Sequence, residues 1–186
     1  MNMCSRMVAF AAIACLVARE CPALEPTAVL PPPSPSGSAG MAVALGDGWV
    51  AVGAPQATVG ENAEQGAVHL YACDVSGAWR CVTSLVASAG AAYDRFGQSL
   101  ATSSNQLVVG AWGDDQRGAE AGAAHMFETD GTNWVWIAKL TASDGAAGHF
   151  FGSALALDGD MLAVGARKAP AGSKTAAGAV YVFRRD

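Results

Sequence analysis

Charge is scarce in this sequence. Only 15% of the residues are Asp, Glu, Lys or Arg, against 52% that are apolar. That balance excludes a disordered chain, which needs low hydrophobicity and high net charge. Basic runs are missing beyond Arg184-Arg185 and the net charge is −5, so the electrostatic footprint of a nucleic-acid binder is absent. Apolar runs are short: the longest, residues 7–18, falls below the roughly 20 residues that span a bilayer. Walker loops, C-x-x-C, H-E-x-x-H and G-x-S-x-G elements and N-x-S/T sequons are all missing. The sequence therefore offers no anchor for catalysis, and no catalytic residue, cofactor or metal ligand is assigned.

What is present begins with a leader-like start. Arg6 precedes the run "MVAFAAIACLVA", and "CPA" at 21–23 is a small-residue exit. A charged start, a short apolar core and such an exit describe a secretory leader over residues 1–23. Residues 24–40, "LEPTAVLPPPSPSGSAG", are rich in Pro, Ser and Gly and read as an extended tether. Cleavage after Ala23 would remove Cys4, Cys15 and Cys21 and leave Cys73 and Cys81. Exported chains tend to pair their thiols, so a Cys73–Cys81 disulfide across the turn "DVSGA" is expected.

A repeat dominates the remainder. "SAGMAVALGDGWVAVGAP" (38–55), "RFGQSLATSSNQLVVGAW" (95–112) and "FFGSALALDGDMLAVGAR" (150–167) align without gaps. Gly53, Gly110 and Gly165 coincide, as do Gly40, Gly97 and Gly152; Phe96 and Phe151 coincide with Ala39. Downstream, "GAVHLY", "GAAHMF" and "GAVYVF" superimpose at 66–71, 122–127 and 178–183. Each unit reads as short strands of period-2 alternation separated by polar turns. About eleven strands in three units are expected, over approximately 41–95, 96–150 and 151–186, the last unit stopping after its third strand. Units of about 55 residues with four antiparallel strands each fit β-propeller blades, and the fold class is all-β.

The Phe-Gly followed at fixed distance by Val-Gly-Ala resembles the FG-GAP repeat. "LTASDGAAGHFFGSALALDGDMLAVGAR" is similar to its calcium-less subgroup. The resemblance covers about residues 38–186 and implies part of a seven-bladed propeller of the kind found in integrin alpha-chain heads. Further blades or self-association would then be needed to close it. The calcium loops of the integrin type are not matched: "LGDGW", "SSNQL" and "LDGDM" lack the ligand set, so Asp47, Asp158 and Asp160 are read as turn residues.

Up-and-down strands place the loops after second strands on one face with the connections between blades. That face collects Gln56, Glu61 and Glu64; Tyr93, Asp94 and Arg95; Asp114, Asp115 and Arg117; Asp144 and His149; and Arg167, Lys168 and Lys174. Divergent loops on a rigid scaffold are the usual arrangement for recognition. Asp114-Asp115 is expected to be an exposed pair in a solvated loop. His69 and His125 share one repeat position with Tyr181 and are expected to be packing residues. The expected function is a secreted or cell-surface, non-catalytic binding or adhesion module with a protein or glycan ligand and neither nucleic acid nor a membrane span. The alternatives are the scaffold portion of a larger extracellular enzyme and a truncated gene piece.

Overall fold

A computed structural model describes residues 28–33 and 37–185, and among them are eleven strands and no helix. The expected leader, part of the tether and Asp186 lie outside the described residues. The first sheet is β1 (Ala42–Leu45), β2 (Trp49–Ala54), β3 (Ala67–Cys73) and β4 (Trp79–Leu85). The second is β5 (Ser99–Ser103), β6 (Gln106–Ala111), β7 (Ala123–Thr129) and β8 (Trp134–Leu140). The third is β9 (Phe151–Asp158), β10 (Met161–Ala166) and β11 (Ala179–Arg184). Every pairing within them is an antiparallel hairpin between consecutive strands, in the order of the chain. Three antiparallel sheets repeated in one pattern are propeller blades, and the fold is all-β.

Strand alternation decides which blade each side chain meets. In β6, Leu107 and Val109 join a core with Ala51, Val68 and Leu70 of the first blade. Val108, between them, points the other way into a core with Phe151, Leu162 and Val164 of the third. Period 2 thus lets one strand serve two interfaces. Phe96 and Phe151 are fully buried in these interfaces, each contributing roughly 2–3 kcal/mol of apolar burial.

The shared glycines explain the rest of the repeat. A Cβ on Gly53 would lie 2.1 Å from the carbonyl oxygen of Gly97, and one on Gly110 would lie 2.1 Å from that of Gly152. The Val-Gly-Ala of the first and of the second blade is therefore a notch that receives the Phe-Gly backbone of the next. Gly97 and Gly152 enter it with φ of 93° and 83°, where a Cβ is strained. The Phe96 and Phe151 amides bond to the carbonyls of Gln65 and Ala121 at 2.9 Å, tying each blade's start to the previous blade.

The first blade lacks the Phe, and tether residues stand against it instead. Tyr71, almost wholly buried, donates its hydroxyl to the carbonyl of Pro31 at 2.7 Å, and the Gln56 amide bonds to Gly37 at 3.1 Å. At the other end, Val180 and Val182 of the third blade, which match the buried Val68 and Leu70 of the first, are 68% and 63% exposed.

The expected Cys73–Cys81 bridge is corrected by the register. The turn closes through Asp74 N–H to the carbonyl of Ala78 at 2.9 Å, so Cys73 faces Trp79 and Cys81 faces Tyr71. The two cysteines are diagonal neighbours, a separation of roughly 7–8 Å that lies at the edge of what a disulfide spans. Both thiols are free.

Candidate recognition cleft

Hydrogen bonds join the blade-connecting segments to the second-to-third loops. The Tyr93 and Arg95 amides bond to the carbonyls of Ala63 and Glu64, and those of Gly148 and Phe150 bond to Ala119 and Glu120. Blade-joining segments and second-to-third loops are thereby stitched together on one side.

Between the first two blades this face opens into a cleft of about 800 Å³. One wall is the segment from Ser88 to Asp94. The other is the loop from Asp114 to Arg117 with His125 of β7 and Trp136, Lys139 and Thr141 at the outer strand. A β-bulge sets that wall. Met126 pairs with Ala138 but Phe127 with Trp136, leaving Ile137 as the extra residue. Without it Trp136 and Lys139 would point to opposite faces; with it both line the cleft.

Lys139 Nζ lies 2.6 Å from Asp114 Oδ2, and Asp114 Oδ1 accepts from the Gln116 amide at 3.1 Å. Asp94 Oδ2 accepts from the Ala91 amide at 2.7 Å. Both aspartates are buried. Burial pushes the Asp94 carboxyl up, partly offset by that amide, while the nearby Asp114 charge adds to the rise. His125, 6% exposed, packs edge-on against Phe96 with ring centroids 5.3 Å apart. Neither of its ring nitrogens has a hydrogen-bond partner. Burial, reinforced by the Lys139 charge, lowers its pKa to about 4 against the opposing pull of Asp114, so the ring is neutral at pH 7.

Comparison of the three copies shows that Asp114 and Lys139 are particular to the second blade, whereas His125 recurs as His69. Asp114 is held as Ala57 and Ala169 are: the amide of each bonds back to the Ala that ends the preceding strand, and its carbonyl accepts from the Gly before the next. The repeat thus buries Ala there twice and Asp once. Lys139 replaces Ser84, whose Oγ lies 2.8 Å from His69 Nδ1. At the third copy Tyr181 replaces the histidine and donates its hydroxyl to Asp144 Oδ1 at 2.6 Å. His69 and Tyr181 have partners at this position; His125 has none.

Of the expected site residues, Asp94, Asp114, Asp115 and Arg117 meet in this cleft. The expected exposed pair is corrected: Asp115 is exposed, but Asp114 is buried because its loop folds back onto Lys139. A second group surrounds Trp112 and Phe150, which pack at 5.1 Å. Arg95 and Arg167 lie over Trp112, and Arg167 and Lys168 over Phe150. Arg95 also pairs with Glu64. Gln56 bonds to the tether at Gly37 and Ser38; His149 Nδ1 accepts from the Ala146 amide at 3.3 Å. Glu61, Tyr93 and Lys174 are exposed and join neither group. His125, Trp136 and Lys139 were not among the expected ligand residues. The signal for Lys139 and Asp114 was their departure from Ser84 and from Ala57 and Ala169.

A model described as FG-GAP repeat matches residues 79–127 and 134–183, together just over half of the chain. The chain belongs to the FG-GAP repeat family. No curated protein matches it. Each matched FG-GAP unit begins at an outer strand, β4 or β8, and ends in the third strand of the following blade. Asp114 and His125 fall in one unit and Lys139 in the next, so the cleft's ion pair joins two repeats.

Proposed function

We propose that this chain is a non-catalytic binding or adhesion module of an exported or cell-surface protein, with its recognition site in the cleft between the first two blades. One observation carries this. The second copy alone puts a charged pair, Asp114 and Lys139, beside a buried His125 with no partner, where its siblings manage with Ala57, Ala169 and Ser84. The fold does not need the charged pair, because Ala57 and Ala169 stand at the place of Asp114 and Ser84 at that of Lys139, and an unsatisfied buried imidazole costs free energy until something fills its bonds. Export rests on the leader-like residues 1–23 and the Pro-rich tether. The same reading has the bare Val180 and Val182 face covered by a further blade, whose Phe-Gly would enter the notch at Gly165.

The test is a two-dimensional NMR screen of the full chain against methyl pyranosides, basic peptides and acidic peptides. Shifts clustered on His125, Trp136 and Lys139 are expected. Shifts confined to the opposite-end cleft at Asp47, Trp49 and Trp134, or none, would overturn it.

A further inference from the structure

The chemistry of the cleft narrows its ligand, and this step rests on the recognition reading above. We infer that the cleft seats a neutral pyranose residue of a glycan, one ring face on Trp136 and its hydroxyls against Asp94 and Lys139.

Charge argues first. Asp94, Asp114 and Asp115 oppose Arg117 and Lys139, so neither an anion nor a cation finds a strong excess of opposite sign. Among the described residues no group of His, Cys, Asp and Glu is placed to hold a metal ion. Phosphate would meet three carboxylates, and a lysine side chain would meet Lys139.

Hydrogen bonding argues second. The nitrogens of neutral His125 lack partners but are closed to solvent, so the ring underlies the cleft and the bonds to a ligand fall to its neighbours. Asp94 accepts at Oδ2 only, leaving Oδ1 free. Lys139 makes one bond, to Asp114, and has further N–H groups to give. An acceptor and a donor thus stand in one cleft, and a hydroxyl, which both gives and takes, satisfies such a set where a carboxylate or ammonium cannot. Trp136, about half exposed in the same wall, supplies the apolar face that small-ligand sites combine with a few placed polar groups.

The third blade supplies an internal mimic. There Tyr181 takes the place of His125, Asp144 that of Ala89, and the phenol hydroxyl donates to the carboxylate at 2.6 Å. The phenol ring overlies the place of the imidazole, and only its outer edge and hydroxyl reach beyond it, so the second blade leaves a hydroxyl-sized place beside Ala89 unfilled. A hydroxyl of a pyranose seated on Trp136 fits that place.

The experiment titrates the full chain with the methyl pyranosides of glucose, galactose, mannose and N-acetylglucosamine and their β-linked disaccharides. It is read by saturation-transfer NMR and tryptophan fluorescence, with a lysine-rich peptide as the second arm. At least one saccharide is expected to bind with a Kd in the millimolar range or below, about −4 kcal/mol at 1 mM. Trp136→Ala, at an exposed position, should weaken binding about tenfold. His125→Tyr with Ala89→Asp installs the third-blade pair and should abolish binding in a chain that still unfolds cooperatively, at a midpoint no lower than the parent's. Lys168→Ala, outside the cleft, should change nothing. Undiminished binding by Trp136→Ala overturns the inference, as does silence from every saccharide up to about 50 mM. If the peptide alone perturbs His125, the glycan falls and the recognition site stands; if neither perturbs it, both fall.

Discussion

The second and third blades share strands, glycines and buried phenylalanines, yet one position separates them. In the third, Tyr181 reaches across and closes its own cleft on Asp144, and burial together with that carboxylate pushes the phenol up to about 12. In the second, His125 stops short and both nitrogens are left bare. The difference separates what the repeat requires from what has been added to it. Groups recurring at a position in all copies serve packing; the Asp114–Lys139 pair, which appears once, is not required by the repeat.

The largest expected effect tests the packing side. Gly110→Ala must push a Cβ against the Gly152 carbonyl and should cost more than about 3 kcal/mol in chemical denaturation. At Gly165 the same Cβ would meet only the Ala154 methyl at 3.2 Å, and Gly165→Ala should cost less than about 1 kcal/mol. Equal costs would show that the notch is not what binds blade to blade.

Acid should act next, through the second blade. The folded His125 pKa is depressed from 6.5 to about 4, so the unfolded chain binds the proton first. Stability is complete above pH 6.5 and should fall by about 3 kcal/mol towards pH 4. His69, also lowered by burial, adds in the same direction. Asp94, raised by burial, opposes it only at the acid end of that window. The charged groups set against His125 are Lys139 and Asp114. Unfolding midpoints of the parent and of His125→Tyr across this range measure it, and the variant should show the shallower slope.

Removing half of the ion pair should cost less. Lys139→Ser alone leaves Asp114 buried without its cation and should destabilise by about 2 kcal/mol, below the cost of a fully buried pair because Lys139 is partly open to water. Adding Asp114→Ala restores the residues of the sibling copies and should return most of that loss. A double-mutant cycle reads both steps. The smallest effect is Tyr181→Phe, which deletes one bond to an exposed carboxylate and should cost about 1 kcal/mol in the same assay.

The strands were legible because three copies of one pattern remove the ambiguity that a single short apolar run carries. Val-Gly-Ala and Phe-Gly could be aligned from sequence, although their meeting as notch and insert is a contact between blades that no local pattern displays. The cleft was half legible. Asp94, Asp114, Asp115 and Arg117 lie on loops whose shared face follows from strand direction. Lys139 and Trp136 enter it through the bulge at Ile137, and nothing in "WVWIAKL" announces an extra residue. The burial of Asp114 depends on a partner 25 residues away. The cysteine pairing failed for a similar reason: both flank one turn, but register, not proximity to the turn, decides which residues face.

The phase of the repeat has a consequence for how such a chain can lengthen. The family's unit takes the outer strand of one sheet and three strands of the next, so its boundaries never coincide with those of a blade. A duplicated unit must complete the sheet before it and leave its own sheet for its successor to complete. Copying a segment of one full period, from any starting point, therefore regenerates the same junctions on both sides, whereas a copy of any other length breaks two sheets at once. Growth by gene duplication is thereby quantised, and individual copies are free to diverge at single positions, as the second has at Asp114.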